Sequence, residues 1–275
     1  MPPFLMASTR FLVAGALLTV LLIGLNKFRI SRHQLLDNFW IGGLLLLGGN
    51  GLVSWAQQTI PSGMTTLILS LNPLLVVVAD WAVLVFLRDS ARGSKPTGLT
   101  FLGLSMGLTG MSILIGPSLF ATDETHLDFF RVLALVVACI SWCSGSLYTR
   151  YAHKPADPFS GAAVQMIFGG LWLLIVSLFV GEPFHFAPSQ ISWNSILAWF
   201  YLMLMGSLVT FTTFIWLMKH ASPSLVATYS YVNPIVAVFL GWFFLSEPVN
   251  PRIFIAGTII VFGVATITFS RSQRK

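Results

Sequence analysis

Leu71-Asn72-Pro73-Leu74 has an echo in Val232-Asn233-Pro234-Ile235, and each Asn-Pro pair sits near the middle of an apolar stretch of about membrane-spanning length. A proline inside a helix has no N–H to give to the carbonyl four residues back, here Leu69 or Ser230. In hydrocarbon that carbonyl still needs a partner, so such breaks persist only beside protein or water. Two of them, at matching places, point to a central polar site built on interrupted helices, with Pro73 and Pro234 as the breaks. The likeness extends outward. Pro61-Ser62 precedes the first pair and Pro223-Ser224 the second, while Trp81 and Trp242 each follow their proline by eight residues. The halves are therefore repeats at an offset of 161 residues, with one residue slipped between Pro-Ser and Asn-Pro.

The composition fixes the solvent. Of 275 residues, 56% are hydrophobic and only 9% charged, with a mean hydropathy of +0.83, whereas a soluble domain would carry about a quarter charged residues. The sequence predicts an all-α membrane protein with no separate soluble domain. Cys139 and Cys143, four residues apart on an apolar helix, lack the spacing of a redox or zinc motif and read as small packing residues. No metal site, cofactor or nucleic-acid partner is expected. The net charge of +6 has another explanation in its placement.

Apolar stretches run approximately from Pro3 to Leu25, Phe39 to Ala56, Gly63 to Leu87, Leu99 to Leu114, Val132 to Tyr148, Phe159 to Val180, Ile196 to Met218, Leu225 to Leu245 and Ile253 to Phe269, which makes nine transmembrane helices. If they alternate, twelve basic residues share one side: Lys27, Arg29, Arg32, Arg88, Arg92, Lys95, Arg150, Lys154, Lys219, Arg271, Arg274 and Lys275. The opposite loops hold Asp123, Glu124, Asp128, Glu182 and Glu247, with Arg131 and Arg252 as their only cations. The positive-inside rule then makes the C-terminus cytoplasmic. The first repeat occupies 1–118 and the second 129–271, joined by an outer loop at 119–128. Four spans against five leave the first half one helix short, expected before Met1, through a misplaced start codon or a genuine truncation.

Polar groups at membrane depth are the candidate site. Asp80 is the only acidic residue well inside a span, where a carboxylate costs about 2.5–3.5 kcal/mol on insertion scales. It reads either as a proton or cation site, or as a carboxylate solvated near the inner end. Arg10 either binds a substrate carboxylate or snorkels outward. Asn50, Asn72 and Asn233 either contact substrate or satisfy carbonyls freed by the breaks. Trp142, Gln165, Tyr229 and Tyr231 are expected to wall a cavity for small molecules, with Tyr148 lying near Trp142 on the fifth span. Gly103-x-x-x-Gly107 permits close helix approach, within the molecule or in a homodimer.

Pro2-Pro3-Phe4-Leu5 with Arg10-Phe11-Leu12, Gly49-Asn50-Gly51 leading to Pro61-Ser62-Gly63, Ser141-Trp142 with Ser144-Gly145-Ser146, and Pro223-Ser224 through Tyr231-Val232-Asn233-Pro234 to Glu247 resemble the EamA-type transporters. These are a branch of the drug/metabolite transporter superfamily, and the likeness is greatest to the YedA-like bacterial inner-membrane exporters. The resemblance implies ten helices in two inverted halves, both termini cytoplasmic, and a central substrate cavity. This sequence lacks the first helix of that pattern, and Arg10 matches the arginine of the family's Arg-Phe-Leu signature.

The expected function is export of small metabolites such as amino acids by alternating access, from the bacterial inner membrane, with small-molecule substrate and lipid as partners and a monomer or homodimer as the working unit. Lipophilic-cation efflux is the alternative, if Asp80 faces the cavity beside aromatic rings. A non-transporting truncated subunit is a third reading. An intramembrane enzyme is disfavoured, because His33, His126, His153, His185 and His220 all fall in loops or span ends.

Overall fold

The computed structural model describes residues 1–60, 65, 68–69, 72–87, 97–120, 129–153, 157–185, 191–226, 228–229, 233 and 251–272. Among them every regular element is helical: α1 (Pro3–Gly24), α2 (Arg32–Ala56), α3 (Asn72–Leu87), α4 (Gly98–Phe120), α5 (Phe129–Tyr151), α6 (Pro158–Val180), α7 (Trp193–His220), the single turn α8 (Pro223–Val226) and α9 (Pro251–Ser272). Five described helices are long and apolar enough to cross a membrane: α1, α2, α5 over Phe129–Thr149, α6 and α7. α4 runs to Phe120, beyond the expected end at Leu114, so the connection at 119–128 begins with its last turn.

The chain divides into two compact units, Met1–Gln58 with Ile140–Ala221, and Thr59–Cys139 with Ser222–Lys275, and the division falls inside α5. Each unit draws helices from both halves of the sequence.

In the first unit α1 packs along α6. Ser8 Oγ donates to the Gly170 carbonyl at 3.0 Å, tying the two backbones together. α2 approaches α6 as closely: a Cβ at Gly42 would stand 2.6 Å from the Gln165 carbonyl oxygen, so only glycine fits. Local chemistry sets the ends. Ser31 and Gln34 form a reciprocal capping box at the start of α2, and Ser192 caps α7 by accepting from Ser195 N at 3.2 Å. Gly181 ends α6 in the left-handed region at φ 81°, which glycine adopts without strain. The turn that follows sends Glu182 back over the start of α1. Its carboxylate accepts from Phe4 N at 3.2 Å, Leu5 N at 2.7 Å and Ser177 Oγ at 2.8 Å. An anion on the orphan amides of a helix start satisfies those donors and complements the helix dipole.

In the second unit α4 and α9 lie against each other. A Cβ on Gly103 would meet the Gly263 carbonyl oxygen at 2.6 Å, and one on Gly263 would meet Gly107 N at 3.1 Å. The Gly103/Gly107 pair thus packs within the molecule. α3 begins at Asn72, which puts Pro73 in its first turn, where a missing N–H costs nothing.

Candidate functional site

Two of the long helices of the first unit change winding midway. α2 is π-helical over Gly43–Gly51 and α7 over Leu202–Val209. Such stretches loosen the backbone ladder and recur at functional sites. Neighbouring hydroxyls take up the carbonyls involved. Ser141 Oγ donates to Leu44 O at 2.8 Å, Thr210 Oγ1 to Met205 O at 2.7 Å, and Thr212 Oγ1 to Leu208 O and Val209 O. In hydrocarbon this satisfaction is what allows the irregular winding.

The π stretch of α2 delivers Asn50 to Arg10. Arg10 is only 7% exposed; its Nη2 donates to Asn50 Oδ1 at 3.1 Å and its guanidinium lies 4.5 Å from the Phe11 ring centroid. The amide and the ring face hold it inside the unit. From Phe11 a chain of rings crosses the unit: Phe11 meets Phe211 edge-on at 6.3 Å, Phe211 stacks on Phe214 at 6.3 Å, and Phe214 meets Trp142 at 5.2 Å. Trp142 in turn covers Gly49, where a Cβ would come within 2.5 Å of its Cε3. Among the described residues no carboxylate pairs with Arg10, and its Nε is buried without a partner. A buried guanidinium compensated only by one neutral amide and a ring face has spare donors in a planar fork, which is the geometry that takes a carboxylate bidentately.

A second polar group lies at the end of the unit where α2 and α6 begin and α5 and α7 end. From Trp142 to Thr149, which borders it, is seven residues of α5, or about 10 Å. A small open pocket is lined there by Asn38, Gln165, Ile41, Ile215, Met218 and Lys219, among others. Asn38 Nδ2 donates to Gln34 O at 2.6 Å, and Gln165 Nε2 donates to Asn38 Oδ1 at 2.6 Å. At the rim Asp37 accepts from Tyr148 OH at 2.8 Å, His153 N at 2.8 Å and His153 Nδ1 at 2.9 Å, joining the first turns of α2 to the end of α5.

The sequence-predicted residues therefore fall into three groups. Arg10, Asn50 and Trp142 come together in one cluster of the first unit, and Gln165 sits in the end pocket instead. Asn72 and Pro73 are buried in the second unit, with Asn72 Oδ1 unpartnered among the described residues, whereas Asn233 and Tyr229 are exposed. Tyr231, Pro234 and the Asp80 side chain lie outside the described residues. Reasoning from residues noted Phe11 only as part of the Arg-Phe-Leu signature and missed Phe211 and Phe214, which carry no mark among 23 phenylalanines. It also missed Asn38, which stands one residue before the expected span.

Several helices long and apolar enough to cross a membrane, irregular winding within two of them and a buried polar cluster fit a membrane carrier. The EamA-like transporter family matches over residues 129–269. The inner membrane transporter YedA of Escherichia coli is 32% identical over 98% of this chain and 83% of its own length. The transporter YoaV of Bacillus subtilis is 26% identical, covering 100% of this chain and 90% of itself. PecM of Dickeya dadantii is 25% identical over 99% and 86%. A solved crystal structure superposes with a TM-score of 0.77 at 20% identity, covering 100% of this chain and 90% of that one, so the two share a fold. The chain belongs to the EamA-like transporter family.

Proposed function

We propose that this chain exports small amphipathic metabolites, neutral amino acids foremost, across a bacterial inner membrane by alternating access. The observation that carries the substrate class is Arg10: a guanidinium held in the unit's interior beside Asn50, with a buried Nε unpartnered among the described residues, suits a substrate carboxylate. The same fixed positive charge disfavours a lipophilic cation. Phe11, Phe211, Phe214 and Trp142 supply the apolar wall that an aromatic or aliphatic side chain needs. The name of YedA supports the membrane assignment.

The inverted-repeat reading gains support from the π stretches. The offset of 161 residues carries 43–51 onto 204–212, which overlaps the second stretch at Leu202–Val209. Matching irregularities in the two halves are what alternating access between repeats uses. In this reading nine spans cross the membrane, the C-terminus is cytoplasmic, Asn72, Asn233, Tyr229 and Tyr231 are further candidate substrate contacts, and the carrier works as a monomer or homodimer.

The test is uptake of radiolabelled neutral amino acids into proteoliposomes holding the purified chain. Saturable flux that falls at least tenfold in Arg10→Gln is expected. No saturable flux for any neutral amino acid overturns the substrate class.

A further inference from the structure

The two amides of the end pocket fix each other's orientation. Asn38 Nδ2 faces the Gln34 carbonyl, and a backbone carbonyl only accepts. Asn38 Oδ1 must therefore be the atom turned toward Gln165, so Gln165 offers Nε2 to it. The relay runs one way, and its far end is Gln165 Oε1. Gln165 and Asn38 are each 2% exposed, both line the pocket, and Oε1 is buried with no partner among the described residues. A buried acceptor without a donor costs about 1–3 kcal/mol, so its place calls for a donor from outside the protein. Ile41, Pro158, Ile215 and Met218 supply an apolar surround.

We propose that this pocket is a binding subsite for a small, mostly apolar molecule that presents an N–H or O–H donor, with Gln165 Oε1 as the acceptor that recognises it. The inference rests on the transport reading only for its place in the cycle: the pocket opens at the end bearing Lys27, Arg29 and Lys219, the side from which an exporter loads. Arg10 then takes the carboxylate and Gln165 selects the donor, at separate positions along the unit. Lys219 is among the residues that line the pocket.

Binding of indole and benzofuran tests the assignment, because the two share an outline and differ by one N–H. Dissociation constants are measured with the purified chain in nanodiscs, with empty nanodiscs as the partition reference. Indole is expected to bind roughly tenfold more tightly than benzofuran, the worth of one hydrogen bond to a buried acceptor. Gln165→Met is expected to erase that preference. Met218→Trp, which leaves the relay intact and fills the pocket, is expected to abolish binding of both probes, and it stands as the test if Gln165→Met does not fold. Equal binding of the two probes by the native chain means that a water satisfies Oε1, and overturns the proposal. So does a preference that survives Gln165→Met, or indole binding unchanged in Met218→Trp. Amino-acid flux is measured on the same preparation. Lost probe preference with intact flux sinks the subsite alone, and intact preference without flux sinks the transport reading alone.

Discussion

Arg10 and Asn50 form a pair whose members need each other more than the fold needs either. Removing the Asn50 acceptor leaves a buried guanidinium with one fewer partner, a loss of about 1–3 kcal/mol. Asn50→Leu is therefore expected to lower the melting temperature. Arg10→Met combined with Asn50→Leu should restore much of it, since replacing both partners by apolar groups removes the unmet polar demand. A thermal melt of the two single variants and the double variant measures the coupling. Arg10→Lys should not restore flux, because an ammonium has neither the planar fork nor the ring-stacking face that Phe11 meets. Both polar residues were legible in the sequence because polar side chains are scarce in an apolar chain and each one has to be explained. Their outcome was not. Whether Arg10 stays inside depends on Asn50, forty residues on, being near, and nothing in a span of leucines fixes that distance.

At the scale of elements, the π stretch of α2 makes a sharp prediction. Deleting Leu47 lets Gly43–Gly51 close up into ordinary α winding while the flanking turns keep their faces toward α6. The variant is expected to insert into the membrane and melt near the native temperature, yet lose flux, because Asn50 no longer reaches Arg10. Radiolabel uptake and a melting curve on the same preparation decide it. Capping gives a second expectation. Glu182→Ala strips the anion from Phe4 N and Leu5 N, a loss of about 1 kcal/mol, read as a fall of roughly 2–4 °C in melting temperature. Helix ends were readable in places: Ser31 with Gln34 is a capping box in plain sequence, and Pro158 and Gly181 frame α6. The π winding was not. Gly43–Gly51 contains glycines, leucines and one asparagine, too uniform a run for a change of period to leave a trace.

For the whole molecule, the sequence carried the class through hydropathy and the family through the spread of its motifs. It did not carry which helix lies beside which. α1 with α6, and α4 with α9, each join one half of the sequence to the other, and their small-residue faces say that something comes close without naming the partner. Topology is testable independently. A fluorescent protein fused after Lys275 is expected to mature and glow, as it does only in the cytoplasm, and a dark but stably inserted fusion would reverse the orientation drawn from the basic loops. The tie between Glu182 and the start of α1 bears on synthesis. The amides of Phe4 and Leu5 leave the ribosome 178 and 177 residues before the carboxylate that receives them. Helix α1 must therefore idle in the lipid with these two amides unserved until α6 has followed it in, and only then can the first unit lock.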